Sequence, residues 1–164
     1  MALKLIIDTD PGIDDAMAIL YAIAAPEIDL LGLTTVFGNV TTPKATRNAL
    51  YLLEQAGIEI PVAEGLHRPR ILPPFPPTSA VHGAEGFGTL AVPTPQRRAL
   101  VETAPEYLVR MARAHQGELL LCPIGPLTNI AVAMELDPSF CSNLKGIVVM
   151  GGSLRAGGNI TPAA

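Results

Sequence analysis

The chain has 164 residues, 49% of them hydrophobic, and a formal net charge of −4. This length and composition fit one globular domain with an aliphatic core and exclude a disordered chain. The acidic balance and the lack of a basic stripe exclude a nucleic-acid-binding protein. No apolar run approaches the roughly 20 residues of a membrane span, so no membrane partner is expected.

The N-terminal residues and the cysteines predict the compartment. Lys4 and Asp8 interrupt the first apolar run, so we expect no signal peptide. Cys122 and Cys141 lack the spacing of a metal site and are expected to be free thiols. Free thiols persist in a reducing environment, so the sequence predicts a cytoplasmic protein.

Strands and helices alternate along the first part of the chain. Continuous apolar runs predict buried strands, and acidic residues or a proline in a first turn mark helix starts. The predicted elements are a strand over 3–7, a helix over 14–25, a strand over 28–37, a helix over 42–55 and a short strand over 60–63.

The segment 65–88 has a different composition, rich in proline and glycine, and no helical or strand period. So long an irregular segment inside a compact domain is usually a functional loop or a lid. We therefore expect 65–88 to be an active-site loop.

Alternation resumes after this loop. The predicted elements are a helix over 103–115, a strand over 118–122, a helix over 126–135 and a strand over 145–150 that leads into Gly151. Strands alternating with helices predict an α/β fold, with a mostly parallel open sheet flanked by helices. Such sheets bind ligands at the carboxyl ends of their strands.

Four aspartates follow the first strand, and three of them, Asp10, Asp14 and Asp15, can surround one point. Carboxylates this close raise each other's pKa values unless a cation is present. Oxygen ligands without histidine or cysteine suit Ca²⁺ or Mg²⁺. The alternative is a solvated helix N-terminus, where acidic residues are common.

Other polar residues also follow predicted strand ends. Asn39 is either a turn residue or an amide aimed into the site. In 124–131, Thr128 or Asn129 either caps the helix or belongs to a loop whose carbonyl binds the metal. His82 in the loop is either solvated or part of a lid, and Asn159 either lies in a solvated turn or contacts ligand.

Taken together, these segments resemble the inosine–uridine preferring nucleoside hydrolases. The resemblance is carried, in chain order, by DTDPGIDDAMAI, TTVFGN, HGAEGFG, GPLTNIA, VVMGG and GGNITP. It implies a Rossmann-like core and a calcium-dependent enzyme that hydrolyses the N-glycosidic bond of ribonucleosides. It also implies that residues 1–164 are the N-terminal portion of a single domain.

The resemblance implies roles for individual residues. Asp10 and Asp15 would be metal carboxylates, the carbonyl of Thr128 would be a third ligand, and Asp10 would also be the general base. The ribose or base would be contacted by a set of further residues: Asp14, Asn39, His82, Met150 and Asn159. Asp8 is expected to point away from Asp10 and to act as a structural hydrogen-bond acceptor.

The family is about twice as long as this chain, and its later part supplies a further metal aspartate and a histidine. We therefore expect a homo-oligomer or a missing C-terminal half, with weak calcium binding and little turnover from 164 residues alone. The alternatives are a phosphatase of the haloacid dehalogenase type, with Asp8 as nucleophile, and a non-catalytic remnant.

Overall fold

The computed structural model describes residues 2–153 and 155–158. Its strands are β1 Leu3–Thr9, β2 Ile28–Thr35, β3 Val62–Glu64, β4 Leu120–Pro123 and β5 Gly146–Ile147. Its helices are α1 Ile13–Ala24, α2 Thr42–Ala56, α3 Ser79–His82, α4 Ala104–Ala114, α5 Thr128–Leu136 and α6 Phe140–Asn143. None of the described helices has the length and hydrophobicity needed to cross a membrane.

The five strands form one sheet in the order β3-β2-β1-β4-β5, and each neighbouring pair is parallel. The predicted α/β fold with a parallel sheet is confirmed. The chain order reverses between β1 and β4, because β2 and β3 extend the sheet on one side and β4 and β5 on the other. Ligands of open parallel sheets bind at such a reversal, beyond the carboxyl ends of the strands.

Two apolar clusters hold the helices on the sheet. One joins α1 and α2 to β1, β2 and β3, with Ile19, Leu33 and Leu53 fully buried. The other joins α4, α5 and α6 to β1 and β4, with Leu108, Leu121 and Phe140 at its centre. The central strand β1 is covered on both faces, which explains its continuous apolar sequence.

Local signals set the helix ends. In α4, Thr103 and Glu106 form a capping box, in which the backbone N–H and the hydroxyl of Thr103 both donate to the Glu106 carboxylate. In α2, Pro43 lies in the first turn and Gly57 ends the helix in the left-handed conformation.

Three elements differ from the sequence predictions. The segment 65–88 contains the short helix α3, although its composition predicts irregular structure throughout. The short helix α6 was not predicted. The last strand is limited to Gly146–Ile147, because the segment is out of register beyond it: the amides of Lys145 and Val148 donate to the carbonyls of Leu119 and Leu121. The step from Lys145 to Val148 is three residues, whereas the step from Leu119 to Leu121 is two.

Candidate active site

The carboxyl ends of β1, β2, β4 and β5 surround an open cavity of about 340 Å³. Its lining residues are Asp10, Asp14, Asn39, Ile124, Gly125, Pro126, Leu127, Met150 and Gly151. We call residues 8–15 the carboxylate turn; they connect β1 to the first turn of α1. We call Leu127, Met150 and Gly151 the outer wall, because all three line the cavity and are exposed.

Asp10 is buried beside the cavity, with 4% of its surface exposed. The backbone N–H of Asn39 donates to Asp10 Oδ2 at 2.6 Å. A side chain at Gly38 would overlap this carboxylate, so only glycine lets the chain after β2 approach so closely. Burial, and next the charge of Asp15, raise the pKa of Asp10 to about 8.

Asp15 lies next to Asp10 and is also buried. Its Oδ1 accepts a hydrogen bond from the Thr9 hydroxyl at 2.6 Å, and its Oδ2 accepts one from the backbone N–H of Gly12 at 3.2 Å. Burial raises the pKa of the Asp15 carboxyl in spite of these bonds. Two adjacent carboxyls whose pKa values are both raised favour the binding of a cation between them.

Asn39 joins the two carboxylates. Its backbone bonds Asp10, and its side-chain Nδ2 donates to Asp15 Oδ2 at 3.0 Å. Its Oδ1 accepts a hydrogen bond from the hydroxyl of Thr78, in the 65–88 loop. The amide therefore reaches the cavity and orients the carboxylate turn.

Asp14 and His82 lie on the solvent side of the turn. The side chain of Asp14 is 70% exposed and lines the cavity, and its Oδ1 is 3.7 Å from His82 Nδ1. The His82 side chain is 12% exposed, and its Nδ1 accepts a hydrogen bond from the backbone N–H of Ile13 at 3.3 Å. The structure thus places His82 against the first turn of α1.

Asp8 points away from the cavity and is fully buried. Its Oδ1 accepts hydrogen bonds from the Thr34 hydroxyl at 2.5 Å and from Asn129 Nδ2 at 2.7 Å, as expected for a structural acceptor. Its Oδ2 has no hydrogen-bond partner among the described residues. Burial raises the pKa of Asp8 to about 7.

Asn129 supports the site through its side chain, a role that the sequence did not reveal. Neither it nor Thr128 caps α5 through its side chain; the cap position is Leu127. Instead Asn129, fully buried, also donates to the carbonyl of Thr35 at 2.9 Å and accepts from the N–H of Leu66 at 2.9 Å. One side chain therefore ties together β1, β2, the start of the 65–88 loop and α5.

The remaining predicted site residues do not all lie at the same cavity. Met150 lines the cavity, with 65% of its surface exposed. Thr128 is the first residue of α5 and lines a different depression, with Arg70 and Leu72. Asn159 lies outside the described residues.

The carboxylate oxygens of Asp10 and Asp15 are ligands that suit a hard cation. Within the described ranges, neither Asp10 nor Asp15 forms an ion pair with Lys or Arg that would compete with a cation. Residues 2–153 and 155–158 contain no group of three or more His, Cys, Asp or Glu side chains arranged for a metal. A cation here would therefore need carbonyl oxygens, waters or residues from outside this part of the chain as further ligands.

Comparison with known proteins identifies the family. A family model described as inosine-uridine preferring nucleoside hydrolase matches residues 5–164. The chain belongs to this nucleoside hydrolase family. It is 49% identical to the "Probable uridine nucleosidase 2" of Arabidopsis thaliana, covering 98% of this chain and 51% of that protein. It is 40% identical to the "Inosine-uridine preferring nucleoside hydrolase" of Crithidia fasciculata, covering 100% of this chain and 52% of that one.

Solved structures of nucleoside hydrolases share the fold. The "Plant nucleoside hydrolase - PpNRh1 enzyme" superimposes with a TM-score of 0.92 at 44% identity, over 100% of this chain and 52% of that one. The "Purine-Preferring Ribonucleoside Hydrolase from Gardnerella vaginalis" gives 0.93 at 35% identity, over 97% and 52%. This nucleoside hydrolase chain thus spans about half the length of the relatives it matches.

Membership of the nucleoside hydrolase family leaves the phosphatase alternative without support. A nucleophilic aspartate must reach its substrate, whereas Asp8 is fully buried under Thr34 and Asn129. Asp10, by contrast, lines the cavity.

Proposed function

We propose that the carboxylate turn is part of a calcium site at which the N-glycosidic bond of a ribonucleoside is hydrolysed to ribose and free base. The observation that carries this proposal is the pair Asp10 and Asp15, buried, adjacent and linked by Asn39 at a cavity. Family membership supports it independently, because relatives are named as nucleosidases and ribonucleoside hydrolases.

Asp10 and Asp15 are the proposed carboxylate ligands of the cation. When bound, calcium would hold the ribose hydroxyls and ease the deprotonation of water. Each carboxylate already accepts hydrogen bonds that fix its orientation, and a carboxylate oxygen has a second lone pair for a cation. The turn is therefore preorganised for binding.

The third proposed ligand is a backbone carbonyl, and here the structure favours a residue other than Thr128. Ile124 lines the cavity beside Asp10, whereas Thr128 lines the depression behind α5. A Cβ added to Gly125 would lie 2.8 Å from Asp10 Oδ1, so the peptide between residues 124 and 125 runs alongside this carboxylate. We therefore propose the carbonyl of Ile124 in place of that of Thr128.

Asp10 is the proposed general base. Its carboxylate lines the cavity, where it can accept a proton from the water that attacks the ribose. The water oxygen would bond to C1′ of the ribose as the bond from C1′ to the base breaks. The base nitrogen takes the electron pair of the broken bond. The group that donates a proton to this nitrogen would lie in a segment equivalent to the part of the relatives that this chain does not cover.

Asp14 and Asn39 are the proposed ribose contacts. Positive charge develops on the ribose as the glycosidic bond breaks, and nearby carboxylates stabilise that charge. Asp14 is exposed at the cavity and free to accept hydrogen bonds from hydroxyls, whereas Asp15 is engaged by Thr9 and Gly12. His82, Met150 and Asn159 are proposed to contact the remainder of the nucleoside.

The sheet supports the proposal that residues 1–164 are one portion of a larger domain. On β4, Leu121 is fully buried under α4 and α5, whereas Leu120 and Cys122, which face the other way, are only partly buried. Parallel sheets are normally covered on both faces. We propose that this face is covered by a segment equivalent to the part of the relatives that this chain does not match. The alternative is that a second copy of the chain covers it.

The test is release of ribose from inosine and uridine by the chain produced together with the remaining segment of a relative. We expect release in calcium and none after chelation, because Asp10 and Asp15 would lose their counter-ion. The matched control is Asp29→Asn, an exposed carboxylate on β2, which should hydrolyse both nucleosides normally. Failure of the correctly assembled pair to release ribose from either nucleoside would refute the proposal.

A further inference from the structure

Residues 82–88 form a tight turn that closes on itself within the 65–88 loop. The N–H of Gly88 donates to the carbonyl of His82 at 2.8 Å, and the N–H of Gly86 donates to the carbonyl of Gly83 at 3.3 Å. We call this segment the 82–88 turn. Because the ends of the turn are hydrogen-bonded to each other, a contact that fixes one of its residues also restrains the others.

One residue of this turn, Glu85, is bound from three positions on α2. Lys44 Nζ donates to Glu85 Oε1 at 2.9 Å, and Arg47 Nη1 donates to Glu85 Oε2 at 2.6 Å. Asn48 Nδ2 donates to the Glu85 backbone carbonyl at 2.8 Å. Hydrogen bonds from Lys44 and then Arg47 hold the pKa of the Glu85 carboxyl below its usual range.

The same contacts reach the carboxylate turn. Asn48 is fully buried, and its Nδ2 also donates to the carbonyl of Pro11 at 3.1 Å. A Cβ added to Gly86 would lie 2.7 Å from Asn48 Nδ2 and 2.9 Å from the Pro11 carbonyl oxygen. The 82–88 turn therefore packs directly on the residue that follows Asp10.

At the other end of the turn, His82 lies over the first turn of α1. Its Nδ1 accepts from the N–H of Ile13 and is 3.7 Å from Asp14 Oδ1. The hydrogen bond to Ile13 is long, at 3.3 Å, so it does not by itself fix the ring. The position of the ring depends on the anchored turn that carries it.

We propose that Glu85 is a positioning residue, which anchors the 82–88 turn to α2 and so holds His82 beside Asp14 at the cavity. The assignment of the cavity to a nucleoside rests on the proposed function, but the anchor itself does not. Elsewhere in the 65–88 loop, Ile71 and Leu72 are 96% and 70% exposed.

The anchor is tested by the reactivity of His82 with diethyl pyrocarbonate, measured by mass spectrometry relative to His67 in the same chain. The His67 side chain is 59% exposed and serves as the internal reference. In Glu85→Gln we expect the relative reactivity of His82 to rise roughly fivefold, because loss of the ion pairs lets the turn open. Amide hydrogen exchange within 82–88 should accelerate by a similar factor.

The matched control is Glu102→Gln, which removes another glutamate paired with an arginine, Arg110, outside the cavity. It should leave the reactivity of His82 and exchange within 82–88 unchanged. Lys44→Met supplies a second disruption of the anchor and should give a smaller increase in the same direction. Unchanged His82 reactivity in both Glu85→Gln and Lys44→Met would overturn the proposal.

A second readout separates positioning from mere stability. In the assembled hydrolase, Glu85→Gln should raise KM about threefold or more at an unchanged melting temperature, since His82 lies at the cavity rather than in the core. If ribose release fails for every form while His82 reactivity still rises, the anchor stands and the proposed function fails. If ribose release occurs and Glu85→Gln changes neither KM nor His82 reactivity, the anchor is wrong.

Discussion

The two sides of the cavity are built differently. In the carboxylate turn, Asp10 and Asp15 are at least 96% buried and are held by hydrogen bonds from Thr9, Gly12 and Asn39. In the outer wall, Leu127 and Met150 are 43% and 65% exposed. The difference indicates that the side proposed to bind the cation is preorganised, and we propose that the other side gains its contacts from ligand or from further polypeptide.

The strongest test of this contrast removes the charge of Asp10. We expect Asp10→Asn to lower ribose release by the assembled protein by about 10³-fold, since it removes both the general base and a cation ligand. Calcium should also no longer raise the melting temperature. The Asp29→Asn control should keep both properties, and an Asp10→Asn protein that kept its calcium response would contradict the metal assignment.

Asn129→Ala tests the support beneath the turn. The change removes one of the two hydrogen bonds to the buried carboxyl of Asp8, together with the Asn129 hydrogen bonds to the carbonyl of Thr35 and the N–H of Leu66. We expect the free energy of unfolding to fall by about 3 kcal/mol, measured by urea denaturation.

The control for that change is Asn143→Ala, at another largely buried asparagine, which bonds Gln116 and Ser139. It should lower the free energy of unfolding by about 1 kcal/mol, because its partners lie closer to solvent. If the two substitutions lowered the free energy of unfolding equally, the hydrogen bonds of Asn129 would have no special role in stability.

Gly38→Ala tests the close approach of the backbone to Asp10. The added methyl group would overlap the Asp10 carboxylate and move it away from Asp15. We expect calcium affinity to fall roughly tenfold by calorimetry, equivalent to about 1.4 kcal/mol. Gly57→Ala is the control, since Gly57 has a φ of +67° with open space around it; it should lower stability by about 1 kcal/mol and leave calcium affinity unchanged.

The pH dependence of stability tests the burial of carboxyl groups in the turn. Burial raises the pKa of Asp8 to about 7 and that of Asp10 to about 8. A raised pKa means that the folded state binds protons more tightly than the unfolded state. Stability from these groups is therefore fully present below pH 4, their unfolded range, and is lost as pH rises through 7 to 8.

We expect the metal-free chain to be more stable at pH 6 than at pH 8.5, by up to about 4 kcal/mol from these two groups, measured by denaturation in a chelator. Calcium should reduce this difference, because a cation stabilises the ionised carboxylates. A metal-free chain that became more stable on raising the pH over this range would contradict the raised pKa values.

Met150→Ala should have the smallest effect. The side chain is exposed, so its truncation should change the free energy of unfolding by less than about 0.5 kcal/mol. It should raise KM for a nucleoside a few-fold at most and leave calcium affinity intact. A loss of calcium affinity would show that the outer wall is coupled to the carboxylate turn.

Sequence reasoning predicted the sheet and the carboxylate cluster because both have strong local signals. Continuous apolar runs mark buried parallel strands, and the order of strand ends puts Asp10, Asn39 and Gly151 at one edge of the sheet, where all three line the cavity. It missed α6 and the shift of register after Ile147, since neither has a distinctive pattern.

The segment 124–131 shows where the sequence is least informative. The resemblance implies the carbonyl of Thr128 as a metal ligand, whereas the cavity lining supports our proposal of Ile124. A residue that binds a metal through its backbone carbonyl needs no particular side chain, so the sequence does not mark it. The role of Asn129 depends on Asp8, Thr35 and Leu66, which are distant in sequence, so only the fold brings them together.

The most direct measurement is calorimetric titration of the metal-free chain with calcium at pH 7.5, in buffers of different ionisation enthalpy. We predict binding with a dissociation constant of roughly micromolar to millimolar size. The heat should depend on the buffer, because the cation displaces a proton held by Asp10. Asp10→Asn should abolish the binding heat. Absence of calcium binding, or equal binding by wild type and Asp10→Asn, would contradict the account.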